Sequence, residues 1–222
     1  MTAQLFRSLR GAIRRTASPM IAVVLVGGAM AAGAQSALAY DPTAAKNYAD
    51  TWALTFNTPT YPQLGNDCTN FVSQALRAGG YPVQSGDKNS YHSWYENTNN
   101  YPIIGYTYDY SLSWSGAENL LNQLYVYNPG GSPMAYWSPG TNMSRATSLG
   151  SVGDVLFYDW GLGEGISHAS IQVAYGTDAL GWTGDLVDEH TSNRKHVFWS
   201  LRDYNGNYAT TWVTVEHVAS TN

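Results

Sequence analysis

The sequence predicts an α+β domain in which N-terminal helices pack on a C-terminal antiparallel β-sheet. Two observations support this class. Segments with helical periodicity and helix-end signals occupy the chain from residue 41 to about residue 124. Short strand-like segments, separated by Gly-rich or polar turns, occupy residues 155–218. Since the helices come first, the strands come second and no internal repeat interrupts them, we expect one α+β unit.

Three segments carry both helical periodicity and an end signal: residues 43–54, residues 67–78 and the residues that follow Ser115. The first begins with Asp41 as N-cap and Pro42 in the first turn. The second ends at Gly79-Gly80, where glycine is favoured after a helix. The third follows Ser115-x-x-Glu118, which has the spacing of a capping box.

The second half of the chain is predicted to form five strands: residues 155–160, 168–175, 186–191, 196–201 and 211–218. The Gly-rich or polar turns that separate them predict an antiparallel sheet. Ahead of the first strand, residues 128–153 contain repeated Gly, Pro and Ser and are expected to form a long surface loop at the border of a cleft.

Residues 1–39 have the three parts of a secretory signal peptide. Four arginines precede an apolar run over residues 21–34, which ends before the small-residue site Ala37-Leu38-Ala39. The apolar run is too short to span a bilayer. We expect cleavage before Tyr40 and a secreted, extracellular domain over residues 40–222, with a retained membrane anchor as the alternative.

Charge and length limit the partners of this predicted mature chain. Four of the 11 Lys and Arg residues precede position 40 and none of the 16 Asp and Glu residues does, so its net charge is −9. This charge argues against binding to nucleic acid or to an anionic membrane. The remaining length suits one domain, which we expect to be monomeric and free of membrane in its mature form.

Cys68 is the only cysteine, so it has no partner within the chain for a disulfide. Exported proteins normally use cysteines in pairs, which leaves a buried structural thiol, an intermolecular bridge or a reactive group. The predicted helix places Cys68 in its first turn, where the helix dipole favours a thiolate. It also places Cys68 on the apolar stripe, so a packed, inert thiol remains open.

A nucleophilic cysteine needs a base, and the chain offers five histidines. In the strand that follows the glycine-rich turn 161–165, Ala169 and alternate residues form the core-facing set. His168 opens this strand on the other, polar face. It is therefore the histidine that the pattern presents at an end of the sheet.

Four short runs resemble a known family: residues 65–76 around Asn-Asp-Cys-Thr-Asn-Phe, residues 153–160, Ser167-His168-Ala169 and Glu189-His190-Thr191. They are similar to the putative amidase domain of exported bacterial proteins, itself similar to papain-like cell-wall peptidases and to cysteine, histidine-dependent amidohydrolases. The resemblance covers residues 40–222. It implies a papain-like fold, with Cys68 as nucleophile and His168 as its base.

A third polar residue should hold the His168 ring, and the strand 186–191 offers the candidates. His190 is our choice. Asp188 shares its strand face and is the runner-up, whereas Glu189 points the other way if the strand is regular. Asp67 is expected to cap the Cys68 helix. The Cys68 backbone N–H is the natural first oxyanion donor, and the loop 61–66 is expected to supply a second.

We predict no metal and no cofactor. The spacing His190-x5-His196 is loosely metal-like but lacks a matched set of carboxylates or cysteines. The Tyr and Trp residues between positions 91 and 137 are compatible with sugar stacking or with an aromatic core.

The sequence therefore predicts a secreted cysteine amidase or peptidase that forms a thioester acyl-enzyme, with peptidoglycan or a peptide as substrate. The cell-wall target rests on the resemblance and on export. Two alternatives remain: a transglutaminase-like acyltransferase, and a non-catalytic, aromatic-rich module that binds cell wall or carbohydrate.

Overall fold

A computed structural model describes residues 40–97, 99–101, 105–127, 133–137 and 148–218. The predicted signal peptide, residues 1–39, lies outside the described residues, as does most of the loop predicted over residues 128–153. Four helices precede most of the strands: α1 (Pro42–Trp52), α2 (Cys68–Ala78), α3 (Leu112–Ser115) and α4 (Ala117–Tyr127). None of these described helices combines the length and the hydrophobicity that crossing a membrane requires.

The main sheet is antiparallel and has the order β3-β8-β4-β5-β6-β7. Its strands are β3 (Pro133–Trp137), β4 (Val155–Asp159), β5 (Ile166–Thr177), β6 (Thr183–Glu189), β7 (Arg194–Phe198) and β8 (Trp212–Glu216). A separate hairpin pairs β1 (Asn99–Tyr101) with β2 (Gly105–Thr107). The α+β class is confirmed, with the N-terminal helices packed against the C-terminal sheet.

Two local predictions differ from the structure. Strand β3 forms within the segment predicted as a loop, because its backbone pairs with the edge of β8. Ser115 is the last residue of the short helix α3, whose chain turns at Gly116 before α4 begins. The predicted capping box at Ser115 was therefore wrong.

The sheet has a core on each face. Val155, Phe157 and Ala169 belong to the cluster that the helices cover, whereas Leu156 and Tyr158 belong to a second cluster. This separation follows from the alternation of side chains along a strand. It confirms the core-facing set predicted for β5, but the other face is also buried.

Helix α2 is enclosed on all sides, contrary to the single apolar stripe predicted for it. Every residue from Cys68 to Leu76 is buried. Its polar side chains are satisfied by hydrogen bonds. Asn70 donates to Pro62 O and Asp67 Oδ1, both at 2.8 Å, and accepts from Trp114 Nε1 at 2.7 Å. The helix that carries Cys68 is thus fixed by polar contacts as well as by packing.

The Asn70→Ala variant tests this anchoring. We expect its free energy of unfolding in urea to fall by about 2–3 kcal/mol, because the substitution leaves the buried Trp114 N–H and Pro62 C=O without partners. The exposed Asn47 on α1 provides the matched control, and Asn47→Ala should change stability by less than about 0.5 kcal/mol. Equal effects of the two substitutions would contradict the anchoring role of Asn70.

Candidate active site

Cys68 is the first residue of α2, and its side chain is almost completely buried. Its thiol lies 3.7 Å from Thr69 Oγ1 and lines the same cavity as His168, close enough for the imidazole to lower the pKa of the thiol. The structure therefore brings together the cysteine and the histidine selected from the sequence. This contact depends on the packing of α2 against β5.

His168 lies near the start of β5, opposite Tyr158 of β4 in the strand register. Its ring packs against two aromatic rings that also stack on each other, with centroid separations of 5.4 Å to both Tyr158 and Trp160. His168 Nε2 is 2.5 Å from Glu189 Oε2. Because Nε2 is engaged by this carboxylate, Nδ1 is the ring nitrogen left for the Cys68 thiol.

Glu189, and not His190 or Asp188, contacts the His168 ring. Along β6, Glu189 shares its face with Val187, which packs in the second cluster together with Tyr158. Asp188 pairs with Ile171 of the helix-covered core, so the expectation chose the face of β6 that does not meet His168. Its second oxygen, Oε1, accepts from Arg194 Nη1, and the Arg194 guanidinium lies 4.6 Å above the Tyr204 ring. Sequence reasoning missed Arg194 altogether.

His190 occupies a different place, beneath the start of α2. Its Nδ1 is 2.6 Å from Asp67 Oδ2, and its Nε2 donates to Trp52 O at 2.9 Å. The ring stacks on Phe71 at 4.0 Å between centroids. His190 is 2 % exposed, so it joins α1, α2 and the end of β6 within the interior.

Asp67 does not cap α2 with its side chain, so that expectation is corrected. Its Oδ1 accepts from Leu64 N and Asn70 Nδ2, and its Oδ2 contacts His190. The first amides of the helix are capped instead by Thr191. Thr191 Oγ1 accepts from Asp67 N at 3.1 Å and from Cys68 N at 3.2 Å.

The electrostatics favour a thiolate and imidazolium pair. Burial raises the pKa of Cys68, but the hydrogen bond and positive charge of His168 outweigh it and lower this pKa to about 7. Burial lowers the pKa of His168, whereas hydrogen bonds to Cys68 and Glu189 raise it to about 9. Burial also raises the pKa of Glu189, and contacts with His168 and Arg194 hold it below its usual range. Between pH 7 and pH 9 the charged pair is therefore favoured.

A cavity of about 450 Å³ opens beside the thiol. Cys68, His168 and Thr191 line it, together with the aromatic side chains of Trp160 and Tyr204. The cavity gives a substrate access to the reactive atoms although Cys68 itself is 5 % exposed. The chemistry available here is attack by sulfur on an electrophilic carbon, with proton transfer through His168.

Among the described residues, Asp50, Asp188 and His196 have potential metal-ligand atoms within 4.8 Å of one another. Asp50 already pairs with Lys46, with His196 at 2.5 Å and with Lys195 at 3.8 Å. The pKa of Asp188 is raised to about 6, mainly by burial. The hydrogen bond from His196 N lowers this pKa, and the negative charge of Asp50 raises it. Two ammonium groups thus offset the negative charge of Asp50.

Comparison with family profiles assigns the chain to a family. The sequence profile of the family described as "Putative amidase domain" matches residues 39–213. The uncharacterized protein YhbB of Bacillus subtilis (strain 168) is 28% identical over 169 residues, which are 75% of this chain and 46% of YhbB. The chain thus spans about half the length of this curated relative. No solved structure matches the chain.

The pH dependence of Cys68 alkylation tests the coupling of the thiol to His168. With iodoacetamide and mass-spectrometric detection, the rate should rise with pH to a plateau with a midpoint near 7, because the thiolate is the reactive form. In His168→Ala the imidazole no longer outweighs the effect of burial on the pKa of Cys68, so the midpoint should move upward. Glu189→Gln keeps an acceptor but removes the charge that raises the pKa of His168, so its midpoint should lie between the other two. A midpoint that His168→Ala leaves unchanged would contradict the coupling.

The His190→Ala variant tests the buried contact beneath α2. We expect a loss of about 3 kcal/mol in the free energy of unfolding, because Asp67 and the Trp52 carbonyl would lose a partner within the interior. Denaturant titration provides the measurement. The exposed His92, which contacts Tyr127 OH, offers a control, and His92→Ala should cost less than about 1 kcal/mol. A His190→Ala protein as stable as the control would refute the anchoring role.

Proposed function

Because the chain belongs to the family described as "Putative amidase domain", we propose that it is an exported cysteine amidase or peptidase with a papain-like arrangement of catalytic residues. The observation that carries this proposal is that Cys68, His168 and Glu189 line one cavity, with Glu189 bound to the imidazole and the imidazole lowering the pKa of the thiol. Cys68 is the nucleophile, His168 is the general base and acid, and Glu189 orients the ring. This assignment replaces His190 as the third residue.

In the first half-reaction, the Cys68 thiol gives its proton to His168 Nδ1, and the thiolate attacks the carbonyl carbon of an amide. The C–S bond forms while the C=O electron pair moves onto oxygen. When the tetrahedral intermediate collapses, the C–N bond breaks and His168 returns the proton to the leaving nitrogen. The products are a free amine and a thioester on Cys68.

In the second half-reaction, His168 takes a proton from water and the resulting hydroxide attacks the thioester carbon. The C–S bond breaks, the acyl group leaves as a carboxylic acid, and the proton passes back to sulfur. Glu189 supports both steps by holding the imidazole in one plane and by stabilising its charged form. Arg194 in turn fixes the second oxygen of that carboxylate.

The substrate that we propose is an amide bond in the peptide part of bacterial cell-wall peptidoglycan. Support comes from the family, from the signal-peptide pattern in residues 1–39 and from a cavity large enough for a peptide segment. The lowered pKa of Cys68 argues against an inert packed thiol, and so favours an enzyme over a binding module.

Digestion of peptidoglycan fragments by the purified protein tests this function. We expect products that differ from the substrate by one added water, identified by mass spectrometry, and a loss of at least about 10³-fold in rate for Cys68→Ala. The variant should stay folded, because it removes one sulfur atom at a helix end. Thermal unfolding of both proteins provides the control.

Three results would refute the proposal. Undiminished turnover by Cys68→Ala would exclude the covalent route. Products that carry an added amine in place of water, formed when a primary amine is included, would assign an acyltransferase instead of a hydrolase. A protein that binds the fragments but releases no product would support the binding module.

A further inference from the structure

Two consecutive backbone amides at the start of α2 converge on one side-chain oxygen. Asp67 N and Cys68 N donate to Thr191 Oγ1 at 3.1 Å and 3.2 Å. The Cys68 amide is the group expected to stabilise an oxyanion directly. In the structure this amide is already engaged by a hydroxyl that comes from the end of β6.

The valence of the hydroxyl determines where its hydrogen points. A threonine hydroxyl has two acceptor positions and one O–H. Both acceptor positions of Thr191 face the α2 amides, so its hydrogen must point away from the helix. Thr191 is exposed and lines the same cavity as Cys68 and His168. The hydroxyl hydrogen is therefore available to a group bound in that cavity.

The backbone of Thr191 adopts a conformation that a β-branched residue rarely takes. Its φ angle is +78°, in the left-handed region, which costs on the order of 1 kcal/mol or more for a β-branched side chain. The preceding residue, His190, is held by Asp67 and by Trp52 O. The buried contacts of His190 thus hold Thr191 in the strained conformation that points its hydroxyl at α2.

We propose that the Thr191 hydroxyl is an oxyanion-hole donor of this enzyme, an inference that rests on the proposed function of the same site. As sulfur adds to the carbonyl carbon, the carbonyl oxygen receives the displaced electron pair, and Thr191 O–H donates a hydrogen bond to it without transferring its proton. The two amides behind the hydroxyl polarise it and strengthen that bond. Thr191 is therefore a catalytic residue. Through its hydroxyl, the amides at the helix N-terminus stabilise the negative charge on the reacting oxygen.

Asn66 is the matched rival for this role. It comes from the loop 61–66, in which a second donor was expected, and it is an exposed residue lining the same cavity. Within the described part of the chain, its side chain makes no hydrogen bond like the two that fix Thr191 against the α2 amides. A fixed donor contributes more to catalysis than a mobile one, because its orientation needs no reorganisation during the reaction.

The test separates reactions that build an oxyanion from one that does not. Iodoacetamide alkylates sulfur at a saturated carbon, whereas the peptide-like aldehyde N-acetyl-alaninal adds reversibly to sulfur and generates an oxyanion. The concentration of aldehyde that protects Cys68 from iodoacetamide gives the affinity of the protein for the aldehyde. This measurement does not require knowledge of the natural substrate. Turnover of peptidoglycan fragments is measured alongside.

For Thr191→Val, which keeps the β-branch and removes the hydroxyl, we expect alkylation within about threefold of wild type. Its aldehyde affinity should fall by at least about 10-fold, and its turnover by about 10²–10³-fold, the usual effect of losing one oxyanion donor. Thr191→Ser should restore both to within about threefold. Asn66→Ala should have a smaller effect than Thr191→Val on both measurements.

Three outcomes would overturn the role of Thr191. The first is Thr191→Val with unchanged aldehyde affinity and turnover. The second is Thr191→Val with equal losses in alkylation rate and in aldehyde affinity, which would mean that the hydroxyl only caps α2. The third is Asn66→Ala with the larger loss. Failure of the proposed function looks different, since wild-type Cys68 would then react with iodoacetamide no faster than a free thiol in solution.

Discussion

The contact between His190 and Asp67 is the interaction on which the geometry of the site depends. It joins the residue before Cys68 to the end of β6, across an interior in which both side chains are buried. A buried polar pair persists only when its remaining atoms are also satisfied, and here Trp52 O, Leu64 N and Asn70 complete the set. This network holds the start of α2 at a fixed place against the sheet.

The fixed start of α2 allows a buried sulfur to ionise. Burial alone would favour the neutral thiol. The imidazole of His168 reverses that effect by lowering the pKa of Cys68, and Glu189 stabilises the charged imidazole. Arg194 anchors the far end of this line. Cys68, His168, Glu189 and Arg194 carry alternating negative and positive charges. Each charged form is therefore stabilised by its neighbour, which an isolated pair in the same interior would not achieve.

Sequence reasoning predicted the helix that carries Cys68, the strand that carries His168 and their meeting across the core. It did not predict the third residue, because alternation separates Glu189 from Asp188 and His190 without showing which face of β6 meets His168. Helix α2 was likewise predicted to be half buried, because a polar residue such as Asn70 is usually exposed. In the structure Asn70 is buried and accepts a hydrogen bond from Trp114. Neither the face on which two strands meet a site nor a long-range polar contact leaves a periodic signal in a sequence.

Three consecutive residues at the end of β6 serve three different parts of the site. Glu189 reaches the imidazole, His190 reaches the interior beside Asp67, and Thr191 reaches the first amides of α2. A regular strand would send the first and third to the same face. The positive φ at Thr191 is what separates them. The backbone irregularity at this turn is therefore a requirement of the site, since a regular strand in its place would remove at least one of the three contacts.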